Sequence, residues 1–138
     1  MTLYRLVYYS ANRIGSLTAA AEVDRILEAS RRNNQLVGVT GALMFSDGFF
    51  GQVLEGLQPA IEATFERIQQ DPRHGDVSLL EFAPVTDRSF SDWAMAYVGN
   101  TAARWSFPEV GSELDANISG ERLYSKLRDM VARDVEAA

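Results

Sequence analysis

The stretch Leu36-Val37-Gly38-Val39-Thr40-Gly41-Ala42-Leu43-Met44-Phe45, Ser46-Asp47-Gly48, Phe49-Phe50-Gly51-Gln52-Val53-Leu54-Glu55 decides the fold. Two runs rich in apolar and β-branched residues flank an Asp-Gly pair, so the stretch predicts two strands, Leu36 to Phe45 and Phe49 to Glu55, closed into a hairpin. Side chains alternate along a strand, which groups Phe50, Gln52 and Leu54 on one face and Gly51 and Glu55 on the other. A glutamine is therefore being set among core residues.

Elements spread outward from this hairpin on both sides. Leu3 to Tyr9 alternates Tyr4, Leu6 and Tyr8 against Leu3, Arg5, Val7 and Tyr9, which predicts a first strand. Residues 17–32 place Ala20, Val23, Ile26, Leu27 and Ser30 at helical spacing, and Asn33-Asn34 reads as the end of that helix. On the other side, Pro59 to Gln70 predicts a second helix with Ile61, Thr64, Phe65 and Ile68 on one face, stopped by Pro72. Val77 to Ala83 and Trp93 to Val98 predict two further strands around a polar connection from Pro84 to Asp92.

The order is βαββαββ. Right-handed crossovers put both helices on one face, so the expected fold is α+β and ferredoxin-like, a mixed five-stranded sheet with strands one and three adjacent and parallel. Residues 99–138 add an irregular segment with Trp105, Phe107 and Pro108, then a helix from Glu121 with Leu123, Leu127, Met130, Val131 and Asp134-Val135. The sheet face carrying Val7 and Tyr9 needs a cover, and this helical extension caps it or pairs between subunits. The expected division is a domain over 1–98 and an extension over 99–138.

Composition narrows the function classes. A chain of 138 residues, 46% hydrophobic and 23% charged, has the make-up of one globular core. A net charge of −6 disfavours nucleic acid as a partner. Without cysteine there is no disulfide framework, thiolate metal site or cysteine nucleophile, and the lone His74 makes no histidine cluster, so no metal is expected. Neither a leader pattern nor an apolar run of membrane-spanning length appears, which leads to the expectation of a cytoplasmic protein away from membranes.

Few residues stand out as candidates for chemistry. Buried Gln52 needs partners that both donate and accept, and Tyr8, on the same face of the adjacent strand, is a donor, an acceptor and a one-electron donor. The plainer reading of the pair is a hydrogen bond inside a core. Asn34, at the mouth of the space between the helices, could read the edge of a flat polar ring or simply terminate a helix. Arg67 flanks the apolar face of helix two, where its guanidinium meets a carbonyl, a phosphate or only water. His74 follows Pro72-Arg73 in an expected loop, while Trp93 and Met95 share a strand face whose default role is core.

Five motifs in order resemble one family. Arg5-Leu6-Val7-Tyr8-Tyr9-Ser10, Asn33-Asn34 with Gly38-Val39-Thr40-Gly41-Ala42-Leu43, Gly48-Phe49-Phe50-Gly51-Gln52-Val53-Leu54-Glu55-Gly56, Asp71-Pro72-Arg73-His74 and Phe90-Ser91-Asp92-Trp93-Ala94-Met95 resemble the BLUF domain, the blue-light sensor using flavin. The likeness spans about residues 1–98 and, with no effector domain in view, looks like the short stand-alone members.

The resemblance implies a flavin between the two helices, with FAD ahead of FMN and riboflavin. It implies that Tyr8 is the photochemical tyrosine, Gln52 the switching glutamine, and Trp93 and Met95 the reporters on the fifth strand. Asn34 would grip the flavin ring, Ile26, Ser30, Asn33 and Phe50 would line the pocket, and Arg67 and His74 would contact the flavin as in some relatives. Tyr8 would give up and regain an electron and a proton, leaving Gln52 rearranged by rotation or tautomerisation. Its amide would then bond the flavin C4 carbonyl and shift absorption to the red.

The output would be an altered surface offered to a downstream protein, without catalysis, in a chain that could also form a homodimer. Two rival readings lack light chemistry. One is an acylphosphatase-like hydrolase using Arg13 and Asn12 near the Gly15 turn, against which no glycine-rich anion cradle follows strand one. The other is a ferredoxin-like small-ligand regulator in which Tyr8 and Gln52 are structural.

Overall fold

A computed structural model describes residues 2–12, 19–45, 49–90, 95–99, 120–125 and 127–129. The elements run β1 (Leu3–Asn12), α1 (Ala19–Val37), β2 (Thr40–Phe45), β3 (Phe49–Leu57), α2 (Gln58–Gln70), β4 (His74–Val85) and β5 (Ala96–Gly99). Residues 120–125 and 127–129 are helical as well. One sheet takes all five strands in the order β4-β1-β3-β2-β5. It is mixed, because β5 joins β2 in parallel while the other pairings are antiparallel.

Strands β1 and β3 are adjacent, as the sequence predicts, but antiparallel, with Tyr8 across from Gln52. The expectation that they run parallel fails for a topological reason. The crossover through α1 makes β1 and β2 run alike and leaves a gap one strand wide. The hairpin folds β3 back into that gap, where it must oppose both neighbours. The hairpin ladder is present, with Phe45 opposite Phe50, while its turn, Ser46-Asp47-Gly48, lies outside the described residues.

Helix α1 does not stop at Asn33-Asn34 but continues to Val37, so β2 begins at Thr40 and not at Leu36. Gly38 is the residue that ends it, with φ +72°, a left-handed conformation that costs glycine nothing. The Val39 N–H then donates back to the Asn34 carbonyl at 3.0 Å, closing the helix end. Polarity suggested the asparagines as the stop; backbone freedom at Gly38 decided it.

Two further boundaries shift. His74 is the first residue of β4 and does not sit in a loop. Strand β5 is Ala96–Gly99, so Met95 immediately precedes it, and Trp93 lies outside the described residues. Helix α2 matches its expectation to within a residue. Arg13, Gly15, Trp105, Phe107, Pro108, Met130, Val131, Asp134 and Val135 also lie outside the described residues.

The sheet separates two apolar layers. Leu6, Tyr8, Phe50, Leu54 and Leu43 pack beneath Val23, Ile26 and Leu27 of α1 and Ile61 of α2. On the reverse face, Val7, Ala42, Met44 and Val53 pack with Phe90, Leu123 and Leu127. The expected cover for that face is thus the helical stretch after Gly120. It sits very close: a Cβ at Gly51 would lie 2.9 Å from Leu123 Cδ1.

A polar network on the reverse face was not foreseen from the sequence. Glu55 is fully buried, paired with Arg5 Nε at 3.1 Å, and accepts the backbone N–H groups of Ser89 and Phe90 at 2.8 and 3.0 Å. Arg5 in turn lies 3.9 Å from the Tyr124 ring centre. A buried carboxylate is tolerable only when so fully engaged.

Candidate functional site

Tyr8 and Gln52 point to the helix-covered face of the sheet, and both are buried. The Tyr8 hydroxyl donates to Gln52 Oε1. Gln52 Nε2 donates to Met95 Sδ at 3.3 Å, so both ends of the amide are engaged. The Tyr8 ring tilts against Phe65 with centroids 5.4 Å apart. Burial, and then the negative charge of Asp71, hold the Tyr8 phenol well above the ordinary tyrosine range. It is therefore a neutral donor at physiological pH.

His74 closes the far side of this cluster. Its Nδ1 lies 2.7 Å from Ser10 Oγ, and its ring packs tilted against Phe50 with centroids 4.4 Å apart. Burial pushes its pKa down to about 4; the Asp71 carboxylate opposes that shift and the Arg73 charge adds to it. His74 is thus neutral at pH 7.

A cleft opens between α1 and α2 above the buried amide. Ile26, Ser30, Asn33 and Asn34 line it from α1, Thr64, Arg67 and Ile68 from α2, with Gln52 and His74 at its base. The continued helix explains why Asn34 looks inward: seven residues, about two turns, separate it from buried Leu27 on the same stripe. Arg67 is exposed at the cleft edge, its Nη2 donating to Thr64 Oγ1 at 3.4 Å. At the rim, Arg73 bonds Asp71 at 2.7 Å and Glu22 of α1 at 3.3 Å, tying the end of α2 to α1. Burial alone would raise the Asp71 carboxyl, but the Arg73 guanidinium and backbone N–H hold it below its usual range.

The sequence candidates thus fall into one place. Tyr8, Gln52 and Met95 are in contact, while Ile26, Ser30, Asn33, Asn34, Arg67 and His74 share the cleft with Gln52, and Phe50 backs His74. Thr64, Ile68, Asp71 and Arg73 were not singled out as site residues. Thr64 and Ile68 follow from the i, i+4 stripe of α2, and Asp71 with Arg73 from an acid and a base two residues apart around Pro72. Arg31, whose Nε donates to the Met95 carbonyl at 3.0 Å, carried no sequence signal at all.

The donor set fits a flavin. Side-chain amides at Asn33, Asn34 and Gln52 can each donate and accept, as an edge of alternating carbonyl and N–H groups requires. Ile26 and Ile68 give apolar walls on opposite helices for a flat ring, and Arg67 and Arg73 supply cationic donors at the opening.

Comparison with known proteins points the same way. The family model of BLUF, sensors of blue-light using FAD, matches residues 3–96. The dark-state structure of BlrB, a BLUF protein, is 30% identical, with a TM-score of 0.75 over 96% of this chain and 97% of that chain. The photo-activated state of BlsA is 29% identical, with a TM-score of 0.77 over 91% of this chain and 94% of that one. Photoactivated adenylate cyclase subunit alpha of Euglena gracilis is 33% identical over 93 residues, 67% of this chain but 9% of that subunit. The chain therefore spans only a small part of the curated relative's length.

Proposed function

The chain belongs to the BLUF family, the sensors of blue-light using FAD, and from that premise we propose that the α1–α2 cleft holds a flavin whose light response is stored in the orientation of the Gln52 amide. The observation that carries this reading is the buried chain of bonds from the Tyr8 hydroxyl to Gln52 Oε1 and from Gln52 Nε2 to Met95 Sδ.

Bound flavin supplies blue-light absorption and an acceptor for one electron and one proton. The protein supplies everything else. Tyr8 holds the proton at its hydroxyl, because burial makes the phenolate costly. Gln52 offers an acceptor to Tyr8 and a donor to Met95; turning its amide, by rotation or tautomerisation, exchanges what it offers to Tyr8, to Met95 and to the cleft. Each arrangement must be satisfied throughout, since a half-bonded amide in this core costs about 1–3 kcal/mol. The result is a two-state element.

Asn34, with Asn33 and Ser30, would hold the ring edge, Ile26 would give it an apolar wall, and Arg67 and His74 would be its further contacts. Phe50 holds His74 in place, and Trp93 and Met95 report the switch through β5. FAD is the favoured flavin, with FMN and riboflavin open to the same pocket. The light-sensing domain is residues 1–98, and residues 99–138 are an extension on the sheet or at a subunit interface.

The output is not catalysis but a changed surface read by a downstream protein, in a chain that could also form a homodimer, with no role for nucleic acid or membranes. Among the described residues no helix is long and apolar enough to cross a membrane. A cytoplasmic setting suits this role. A spectrum of the purified protein tests the reading: flavin absorption that moves to the red under blue light and recovers in darkness is the expected result. A colourless protein that takes up no added flavin overturns it.

A further inference from the structure

We infer that Arg31 is a positioning residue that latches the backbone of Met95 to helix α1 and so sets the lifetime of the switched state. The inference rests on the reading of Tyr8, Gln52 and Met95 as the switch.

Met95 is held at two points from opposite sides. Its sulfur receives Gln52 Nε2 at 3.3 Å, and its carbonyl receives Arg31 Nε at 3.0 Å. The next residue, Ala96, opens β5 and pairs with Ala42 of β2. The entry to β5 is therefore tied to the switching amide through a side chain and to α1 through the main chain. Arg31 stands one residue after Ser30 and three before Asn34, both of which line the cleft. One helix thus grips both the cofactor space and the strand that leaves it.

The two ties differ in kind. The contact to sulfur depends on which way the Gln52 amide faces, whereas a guanidinium is charged at any physiological pH and donates regardless of that orientation. When Gln52 turns away, the Arg31 bond is the remaining side-chain tie seen here that holds Met95 to the helix layer. It favours the arrangement described here over any in which Met95 moves outward. A lysine keeps the charge and a donor, but its Nζ lies one atom further from the backbone than Nε, so it reaches this carbonyl only from a shifted position.

Without that retained tie Met95 is free to leave the helix layer and must be recaptured before Gln52 can turn back, so the dark recovery of Arg31→Ala should lengthen by about three- to tenfold. Arg31→Lys, which keeps a charged donor in a shifted position, should recover faster than Arg31→Ala. Arg32→Ala, one residue on at an exposed position, should match the wild type. Lengthening by less than about threefold, or any shortening, in Arg31→Ala overturns the latch.

A second readout needs no flavin. In flavin-free protein carrying ¹³C-methyl methionine, with the Met95 line assigned through Met95→Leu, Arg31→Ala should shift or broaden that line and Arg32→Ala should not. An unchanged Met95 line in Arg31→Ala overturns the latch whatever the light response. A wild type that binds flavin yet shows no red shift overturns the switch reading instead, and the methyl line then judges the latch alone.

Discussion

Tyr8 and Gln52 are direct cross-strand partners in the antiparallel β1–β3 ladder, and their side chains meet on the helix-covered face. Directly opposed residues hold their Cβ atoms about 4.5–5.5 Å apart, so a phenol and an amide meet there without distorting either strand. The pairing depends on register. A slip of one residue would send Gln52 to the reverse face, where Gly51 now admits Leu123.

Tyr8→Phe removes the only hydroxyl in that pair while keeping the ring that packs on Phe65. The variant should bind flavin and lose the light-induced red shift. Light-minus-dark absorption spectra check this, and a normal photocycle would refute the role given to Tyr8.

Gln52→Leu keeps the volume of the side chain and abolishes both of its hydrogen bonds, to Tyr8 and to Met95. It should retain flavin and show no red shift. The Tyr8 hydroxyl loses its amide partner, so stability should fall by about 1–3 kcal/mol, read from urea unfolding.

Asn34→Ala empties a buried amide from the α1 wall of the cleft but leaves the helix end intact, because the closing bond there uses the Asn34 carbonyl. Flavin affinity should weaken by about tenfold or more, as for a lost buried hydrogen bond, with the fold unchanged by circular dichroism. Equal flavin retention on dilution would remove Asn34 from the site.

Buried His74 makes stability depend on pH. Its pKa of about 4 in the fold lies below the ordinary 6.5, so between those values the unfolded chain binds the extra proton and stability rises with pH. The contribution is complete above about pH 6.5 and is lost as pH falls toward 4, amounting to about 2 kcal/mol between pH 7 and pH 5. The depressed Asp71 acts in the same direction at lower pH. Urea unfolding at the two pH values should show the loss, and His74→Phe should flatten it.

Glu55→Gln tests the reverse face. It leaves the Arg5 guanidinium without its carboxylate and weakens the hold on the backbone of Ser89 and Phe90. A loss of about 2–4 kcal/mol on unfolding is expected, with the flavin spectrum unchanged because Glu55 faces away from the cleft. A displaced flavin spectrum with unaltered stability would contradict this assignment.

The sequence by itself determined the element order, the hairpin, the two faces of β1 and β3, and the burial of Gln52 beside Tyr8, because alternation and helical spacing are local properties of the chain. It also carried the family likeness, since motifs in order need no coordinates. Only the tertiary structure decided the rest. Whether β3 runs with or against β1 depends on which gap the crossover leaves. Where α1 ends depends on Gly38 accepting a left-handed backbone. His74 sits in a strand rather than a loop because β1 extends to Asn12 and offers it a ladder. The bonds from Arg31 to Met95, 64 residues apart, and from Glu55 to Ser89, 34 apart, join segments that share no periodicity. Such contacts are set by how packed layers bring distant backbone together, and no spacing along the chain records them.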